Sequence, residues 1–475
     1  MQKLGIKKIN DIFYFFFVLL IGIFTFFNFF LTFYQLATKH LLYKQIFQII
    51  SHFYLFKSNF LLIHNFYNPI IYIIIFCTLL IYIPMFLWIF FGIIKIFYKP
   101  YKLKNKLKNN TTTNTNPHEK MISVIIPAYN EEKVIKNILS DLLSQNYKNF
   151  EIIVVAHNCT DNTVKKAKEI INQKIKVIEY NTEKIGKALA LNKGLNEAKG
   201  ELIAQFDADN RINDLDFLKK AASYFEDINI NGIQSEVVAS NPNSSFVSFM
   251  VDLEYEIFKE ISYYGRAALG LNCILAGTGV ILRKKDLLEI GGWNNYLVED
   301  FELSTRYSLK KKRIIFASDI KVYDEKPTTW YEMIRQRKRW IKGYLQVFLK
   351  NITNFGNIID YIYRLSPLSI FAWWFSTLFF LIYFFTNNNL FKIFKFINFL
   401  WIIITFSFII LIIYILIKLK KYNWKKILYF CFLYWIFEFH WLWVGLASLT
   451  VSNWRDTKTI HNGDFYLIQG VKIEK

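Results

Sequence analysis

The stretch 201–210 reads Glu-Leu-Ile-Ala-Gln-Phe-Asp-Ala-Asp-Asn. Its first half, 201–205, is typical of a buried strand, which then ends in the two carboxylates Asp207 and Asp209. Side chains on a strand alternate between its faces, but in a loop after the strand both carboxylates could bind one divalent cation. Their oxygen ligands suit Mg²⁺ or Mn²⁺. The alternative is a polar turn that only closes the strand.

The composition predicts a membrane protein. Of the 475 residues, 53% are apolar and 19% are aromatic, which is more than an ordinary soluble protein carries. The apolar residues concentrate at both ends, so we expect a soluble domain inserted between membrane spans. Lysines beside these spans explain the net charge of +21, and no nucleic-acid recognition motif is present. The four cysteines are scattered, which excludes a disulfide framework and zinc spacing.

Several apolar stretches are long enough to cross a bilayer. We expect spans at about 12–34, 69–94, 367–385, 396–417 and 427–449. A signal peptide is the alternative for the first stretch, but its apolar core is too long and a good cleavage site does not follow. The lysines between 95 and 108 place the next domain in the cytoplasm by the positive-inside rule.

Composition shifts divide the chain into four regions. They are an N-terminal membrane region with two spans (1–108), a polar linker (109–120), an α/β domain (121–350) and a C-terminal membrane region with about three transmembrane or interfacial helices (351–475). The side of the C-terminal tail stays open, because span counting places it outside whereas its charges are typical of a cytoplasmic membrane surface. Glu438 and His440 in the last span either line an interior path or are satisfied by packing.

The α/β domain alternates strands and helices along the sequence. Strands are predicted at 122–127, 151–156, 176–180 and 201–205. The first helix is expected to begin at Asn130, acting as its N-cap, and to end near Ser144. This alternation predicts βαβ units and a mostly parallel sheet.

Three polar clusters follow predicted strands, at 129–131, 157–158 and 207–209. Because ligands bind beyond the carboxyl ends of parallel strands, we expect the clusters to face one crevice. A cation held by the aspartates of the third cluster would neutralise a leaving diphosphate. Asp300, at the start of a predicted helix, could be a general base that deprotonates an acceptor hydroxyl.

Basic and aromatic residues complete the predicted site. Lys187 could pair with a phosphate or lie near the donor base, or it could be a solvated helix lysine. Arg339 could stabilise a diphosphate, and Trp340 could offer an apolar platform to a sugar ring. The alternative for 336–340 is a basic amphipathic helix on the membrane surface. No Gly-x-x-x-x-Gly-Lys-Ser/Thr loop is present, which argues against a nucleotide-hydrolysing P-loop enzyme.

The order and spacing of these motifs resemble those of the family-2 glycosyltransferases, which include cellulose, chitin, hyaluronan and poly-N-acetylglucosamine synthases. The resemblance covers about 121–345 and is carried by Ile125–Glu131, Gly186–Ala188 with Leu191–Asn192, Asp207–Asp209, Glu299–Asp300 and Gln336–Trp340.

The resemblance implies a GT-A-like domain, a UDP-sugar donor and an inverting single displacement. It implies that Asp207 contacts the donor and the metal, Asp209 binds the metal and Asp300 is the base. The remaining implied donor contacts are Ala128, Glu131, His157, Lys187 and Arg339. The implied acceptor contacts are Gly277, Thr278, Gly279, Gln336 and Trp340.

The chain departs from the family pattern after the second strand. Family members commonly have an acidic residue there that contacts uridine, whereas this chain has Ala156 and His157. A histidine can still hydrogen-bond a uracil or a ribose, so donor binding need not be lost.

Three functions fit the sequence. The first is a processive synthase that extends a polysaccharide in the cytoplasm and passes it outward between its own spans, with accessory export proteins as possible partners. The second is a single-transfer enzyme that glycosylates a membrane lipid. The third is a non-catalytic membrane assembly partner, which the His157 departure motivates and the presence of Asp207, Asp209, Asp300 and Arg339 disfavours.

Overall fold

The structure is a computed structural model that describes residues 120–351 without a break and short pieces within 90–94, 409–417, 432–437 and 440–451. Residues 120–351 lie in one compact unit. The strands of this unit are β1 (Ile122–Ala128), β2 (Phe150–His157), β3 (Ile175–Tyr180), β4 (Leu202–Gln205), β5 (Gly232–Ala239), β6 (Val280–Arg283) and β7 (Ile314–Asp324).

Helices connect these strands. The α-helices are α1 (Ile135–Leu143), α2 (Thr163–Lys168), α3 (Lys187–Glu197), α4 (Phe217–Tyr224), α5 (Phe246–Phe258), α6 (Gly265–Ala268), α7 (Lys284–Ile290), α8 (Glu299–Leu309) and α9 (Trp330–Lys350). A π-helical segment, Lys259–Tyr264, joins α5 to α6. The predicted helix that starts with Glu299 and Asp300 is confirmed as α8.

The strands form one sheet in the order β3-β2-β1-β4-β6-β5-β7. All pairings are parallel except those of β6, which is antiparallel to both β4 and β5. The prediction of an α/β domain with a mostly parallel sheet is therefore confirmed. Because β6 runs the other way, its amino end lies at the edge where the other strands have their carboxyl ends. Gln205, the last residue of β4, accordingly pairs with Val280, the first of β6.

Apolar side chains cover both faces of the sheet. On β1, Val124 and Ile126 pack on one face with residues of α1 and α4, whereas Ile125 packs on the other with residues of α3, α7 and α8. All three β1 side chains are fully buried. A strand that is buried on both faces reads as a continuous apolar run, which is why β1 and β2 were identified from the sequence.

The predicted start of the first helix is wrong. The helix begins at Ile135, and Asn130 has a φ of 55°, which is left-handed and not the conformation of an N-cap. The Asn130 side chain instead exchanges two hydrogen bonds with Thr160, from Nδ2 to Oγ1 (3.0 Å) and from the Thr160 amide to Oδ1 (2.8 Å). Contacts with the loop after β2, which are distant in sequence, thus replace the local cap.

The predicted membrane spans lie almost entirely outside the described residues, as do the linker and the C-terminal tail. Among the helices that the structure describes, none is both long and apolar enough to cross a bilayer. His440 begins a short helix, His440–Ala447, and its Nδ1 lies 2.7 Å from the carbonyl oxygen of Phe437. The ring of His440 is buried beside Phe437 and Trp441, which favours the packing alternative for this residue.

Gly200 marks the point where the chain enters β4 against β1, and it provides a test of the fold. Its amide donates to Ser123 Oγ (2.7 Å), and a Cβ atom here would lie 2.5 Å from the Ser123 nitrogen and 2.7 Å from the Met121 oxygen. Since backbone atoms cannot move aside cheaply, Gly200→Ala should lower the free energy of unfolding by about 2 kcal/mol. The corresponding fall in melting temperature is about 4–8 °C.

Gly270→Ala is the matched control, because a Cβ atom at Gly270 would meet nothing within 4 Å. Its φ of +69° makes alanine unfavourable by about 1 kcal/mol, so a smaller shift is expected. Equal melting temperatures for Gly200→Ala and the unsubstituted chain would contradict the described packing of β1 against β4.

Candidate active site

The Lys187 ammonium is the centre of a cluster at the carboxyl edge of the sheet. Lys187 is the first residue of α3, and its Nζ lies 2.5 Å from Asp207 Oδ1 and 3.6 Å from Glu299 Oε1. Nζ also donates to the Gly277 carbonyl oxygen (2.9 Å). One cation thereby joins the loop after β4, the start of α8 and the loop before β6.

Asp300 belongs to the same cluster. A Cβ atom added to Gly277 would lie 3.0 Å from Asp300 Oδ2 and 3.5 Å from Lys187 Nζ. Gly277 has a φ of +77°, so both its backbone conformation and this narrow space favour glycine. The Asp300 Oδ1 atom accepts a hydrogen bond from the amide of Phe301 (2.7 Å), which leaves Oδ2 on the Gly277 side.

Burial and the charges of the cluster together shift the pKa values of Glu299 and Lys187. Burial raises the pKa of Glu299 to about 7, a change that Lys187 opposes and Asp300 reinforces. Burial acts to lower the pKa of Lys187, but attraction to Asp207 and Glu299 outweighs it, so the pKa of Lys187 lies above its usual range. Lys187 is therefore a fixed positive charge at neutral pH, of the kind that can bind a phosphate.

The loop of Asp207 and Asp209 is held by its own neighbours. The Asp207 amide donates to Asn210 Oδ1 (2.9 Å) and to Thr278 Oγ1 (3.1 Å), and Thr278 Oγ1 also donates to Asn210 Oδ1. The Asp207 side chain remains 32% exposed, whereas Asp209 is buried. The turn and the ligand interpretations are thus compatible, because the turn presents the Asp207 carboxylate at the sheet edge.

The donor set of this loop fits Mg²⁺ or Mn²⁺ in chemical type. Asp207 and Asp209 supply carboxylate oxygens, and such cations often bind through one or two carboxylates plus substrate phosphates. Within the described residues, no group of three or more His, Cys, Asp or Glu side chains could form a complete protein cage. Two carboxylates do not fill the coordination shell of such a cation, so phosphate or water oxygens would be suitable further ligands.

Helix α9 brings the residues of the 336–340 motif toward the start of α8. Arg339 Nη1 donates to the carbonyl oxygen of Leu297 (3.1 Å), and the charge of Arg339 also acts on Glu299. Gln336 Oε1 and Arg339 Nε are buried and have no hydrogen-bond partner in the described part of the chain. Buried polar atoms are normally paired, so these two atoms are suited to a ligand.

Trp340 has more protein neighbours than an exposed sugar platform would. Its ring lies 6.4 Å from that of Tyr255, and it packs against a cluster of Ile274, Val298 and Phe301. The side chain is half-buried rather than exposed. Any sugar that stacks on Trp340 therefore uses the part of the ring that these neighbours leave accessible.

The remaining predicted donor residues form a second group at the ends of β1 and β2. The Glu131 amide donates to Thr163 Oγ1 (2.7 Å), and the Ala128 carbonyl oxygen accepts from Cys159 Sγ (3.4 Å). His157 is buried, with Nε2 3.0 Å from Thr182 Oγ1. Its ring lies 5.2 Å from that of Tyr180 on β3.

The loop before β6 carries Gly277, Thr278 and Gly279 to the same edge. Gly279 has a φ of +60°, and a Cβ atom there would overlap Ser235 Oγ. The carbonyl oxygen of Thr278 accepts from Gln234 Nε2 (2.8 Å). The predicted residues Lys187, Asp207, Gly277, Thr278 and Asp300 are thus brought together by direct contacts or near contacts.

Sequence reasoning missed three residues of this edge. Gln205 Nε2 donates to the Gly277 carbonyl oxygen (2.6 Å), and Glu299, named as part of a motif, was given no role of its own. Asp324, at the carboxyl end of β7, accepts from Asn210 Nδ2 (3.2 Å). Applying the strand-end rule to β7 would have found Asp324, but the pairing of Gln205 with Gly277 has no local signal.

Known proteins resemble this chain over the same domain. A family model described as "Glycosyltransferase like family 2" matches residues 117–343. A "Probable glycosyltransferase YdaM" of Bacillus subtilis (strain 168) is 29% identical over 242 residues, which are 49% of this chain and 57% of that protein.

Two further relatives carry more specific names. A "Beta-monoglucosyldiacylglycerol synthase" of Nostoc sp. (strain PCC 7120) is 30% identical over 236 residues, or 48% of this chain and 50% of that protein. A "Poly-beta-1,6-N-acetyl-D-glucosamine synthase" of Staphylococcus epidermidis (strain RP62A) is 27% identical over 285 residues, which are 57% of this chain and 66% of that protein. The chain thus spans between half and two thirds of the length of these relatives.

The fold has a counterpart among solved structures. The mannosyltransferase PcManGT from Pyrobaculum calidifontis, solved in complex with GDP-Man and Mn²⁺, superposes with a TM-score of 0.50 at 19% identity. The match covers 70% of this chain and 96% of that one, and it supports a GT-A-like α/β fold. The family model and the named relatives thus show that the domain at residues 117–343 is similar to the family-2 glycosyltransferases.

Proposed function

We propose that the chain is an inverting glycosyltransferase of the cell membrane, which transfers a sugar from a UDP-sugar to a growing polysaccharide. In this proposal the chain crosses the membrane several times and its catalytic domain lies in the cytoplasm. The observation that carries it is that Asp300 Oδ2 and Lys187 Nζ both approach the position where a Cβ atom of Gly277 would lie, with Asp207 paired to the same ammonium. A carboxylate that can accept a proton and an ammonium that can bind a phosphate thus lie close together, which supports the proposal.

The residues divide the reaction between them. The acceptor hydroxyl oxygen attacks the anomeric carbon of the donor sugar, and the bond from that carbon to the diphosphate oxygen breaks. Asp300 takes the proton of the acceptor hydroxyl as the new bond forms. Lys187 and Arg339 balance the charge of the departing diphosphate. A single displacement of this kind inverts the configuration of the anomeric carbon.

Asp207 and Asp209 would hold Mg²⁺ or Mn²⁺, which would supply further positive charge for the leaving diphosphate. On the protein side, the hydrogen bonds of the Asp207 amide to Asn210 and Thr278 fix the loop before any ligand binds. Ala128, Glu131 and His157, at the ends of β1 and β2, are proposed to contact the nucleoside. The Thr182 contact orients the His157 ring for this role.

The acceptor side is proposed to comprise the loop Gly277–Gly279 together with Gln336 and Trp340. Gln336 Oε1, which has no hydrogen-bond partner among the described residues, can accept a hydrogen bond from a sugar hydroxyl. The relative named as a poly-β-1,6-N-acetylglucosamine synthase supports a polysaccharide acceptor. The proposal also includes passage of the polysaccharide between the expected membrane spans and accessory proteins that assist its export.

A second candidate function is a single transfer to a membrane lipid. It is favoured by the relative named as a β-monoglucosyldiacylglycerol synthase, which is 30% identical over the same domain. Both functions use the same donor side and the same base. They differ only in the acceptor and in the number of transfers for each acceptor molecule.

The donor and the product are tested together. Purified chain in lipid nanodiscs is given UDP-glucose, UDP-N-acetylglucosamine, UDP-galactose or GDP-mannose with Mn²⁺, and nucleotide release is measured. We expect release from one UDP-sugar, its loss with EDTA, and its recovery when Mn²⁺ or Mg²⁺ is restored. A ladder or a high-mass product supports the polysaccharide acceptor, whereas one glycolipid supports the second candidate. No release from any donor would contradict both.

Asp300→Asn tests the base. Because asparagine cannot take a proton, kcat should fall by about 10²–10⁴-fold. The dissociation constant of UDP, measured by calorimetry, should stay within about 2-fold, since the variant keeps Lys187 and Asp207. Glu289→Gln is the control, because this carboxylate is 61% exposed and pairs only with Lys312 among the residues described. Unchanged turnover in Asp300→Asn would remove Asp300 from the base role.

Lys187→Met tests the phosphate charge. The variant keeps the length of the side chain but loses the ammonium, so we expect UDP binding to weaken by about 10-fold or more. Lys176→Met, which removes an ammonium that is 55% exposed and paired with Glu197, should bind UDP like the unsubstituted chain. Equal UDP affinity in both variants would show that Lys187 does not contact the donor.

A further inference from the structure

Lys326 is a buried lysine that the proposed reaction does not use. It follows β7, its side chain is 1% exposed, and its Nζ donates to Asp324 Oδ2 (2.8 Å). Its backbone is held from both sides by the Asn241 side chain, with the Lys326 amide donating to Oδ1 (2.7 Å) and Nδ2 donating to the Lys326 carbonyl oxygen (2.9 Å). Burying an ammonium costs free energy unless it is paired, so its contacts identify its role.

One contact of Lys326 leads to the donor side. The Asp324 carboxylate is shared, because Oδ2 accepts from Lys326 while Oδ1 accepts from Asn210 Nδ2 (3.2 Å). Asn210 in turn accepts through Oδ1 from the Asp207 amide (2.9 Å). The ammonium is therefore two side chains away from the loop of Asp207.

The other contact leads to the acceptor side. Lys326 Nζ lies 3.5 Å from the centroid of the Tyr255 ring, well within the range of a cation–π interaction. Tyr255 faces Trp340, with 6.4 Å between the ring centroids. This ring pair connects the ammonium to the 336–340 motif on α9.

Trp340 also lies near Arg337 on α9, which pairs with Glu254 on α5. The guanidinium carbon of Arg337 lies 5.3 Å from the centroid of the Trp340 ring. Arg337 is itself buried and paired with Glu254, the residue before Tyr255, with Nη1 donating to Oε1 (3.0 Å). Each ring of the Tyr255–Trp340 pair therefore has a buried cation near it, and each cation has a carboxylate partner.

We propose that Lys326 is a positioning residue that sets the Tyr255–Trp340 ring pair relative to the Asp207–Asn210 loop. Its Nζ atom takes part in two series of contacts, one that runs through Asp324 to the loop and one that runs through Tyr255 to Trp340. The proposal rests on the proposed function, in which the loop holds the donor and Trp340 contacts the acceptor. Sugar transfer requires the donor and the acceptor to be correctly placed relative to each other. A displacement of about 1 Å can lower the rate about 10²-fold.

Lys326→Met tests the proposal, because methionine fills similar volume without a charge. We expect kcat for sugar transfer to fall about 10–100-fold, while the dissociation constant of UDP stays within about 3-fold, since Asp207 keeps its bonds to Thr278 and Asn210. Tyr255→Leu should have a similar effect. The double variant should lie no more than about 2-fold below the slower single variant, because both changes break the same link.

Lys312→Met is the matched control. Lys312 also pairs with a buried carboxylate, that of Asp286 (2.8 Å), and its side chain is 12% exposed, but it lies on α7's side of the domain. The melting temperatures of Lys312→Met and Lys326→Met are compared, and the kcat of Lys312→Met should equal that of the unsubstituted chain. A kcat for Lys326→Met within about 2-fold of the unsubstituted chain, or effects of Lys326→Met and Tyr255→Leu that multiply, would overturn the proposal.

Hydrogen exchange separates this proposal from the proposed function. Lys326→Met should accelerate amide exchange in peptides that contain 206–211 and in peptides that contain 330–345, whereas Lys312→Met should change neither. If the unsubstituted chain transfers no sugar, the proposed function fails and the exchange data still decide the positioning role. Acceleration in only one of the two peptides, or in neither, would refute a link between them.

Discussion

The Lys187 ammonium is the interaction on which the site depends. It pairs with Asp207 from the loop after β4, approaches Glu299 at the start of α8, and donates to the Gly277 carbonyl oxygen from the loop before β6. These three segments are far apart in sequence, and the ammonium offsets the negative charge of the two carboxylates that meet there. The charge of one helix terminus therefore organises the edge of the sheet.

The single antiparallel strand makes this convergence geometrically simple. In an all-parallel sheet, the loop that precedes a strand lies at the opposite edge from the loops that follow strands. Because β6 is reversed, the loop with Gly277 and Thr278 enters at the edge where β4 ends. Thr278 can then hydrogen-bond the Asp207 amide (3.1 Å), so the proposed acceptor loop and donor loop stabilise each other.

Much of this domain was predictable from the sequence, for reasons that differ between its elements. The strands β1, β2 and β4 are short apolar runs, and α3 and α8 begin at recognisable residues, so local patterns sufficed. Asn130 was misassigned as an N-cap because it precedes two acidic residues in the sequence. Its actual partner, Thr160, lies 30 residues away. Lys326 was overlooked for the same reason, since its ring partner Tyr255 is distant in sequence.

By itself, the sequence determined the class of the domain, the order of its motifs and the residue types available for chemistry. These depend on periodicity and on local composition, which a linear chain displays directly. The tertiary structure decided which of those residues share a site. It showed that the Asp207-Ala208-Asp209 stretch is a hydrogen-bonded turn with a carboxylate paired to Lys187, and that Trp340 packs on Tyr255. Such choices depend on strand order and helix placement, which no single stretch of sequence encodes.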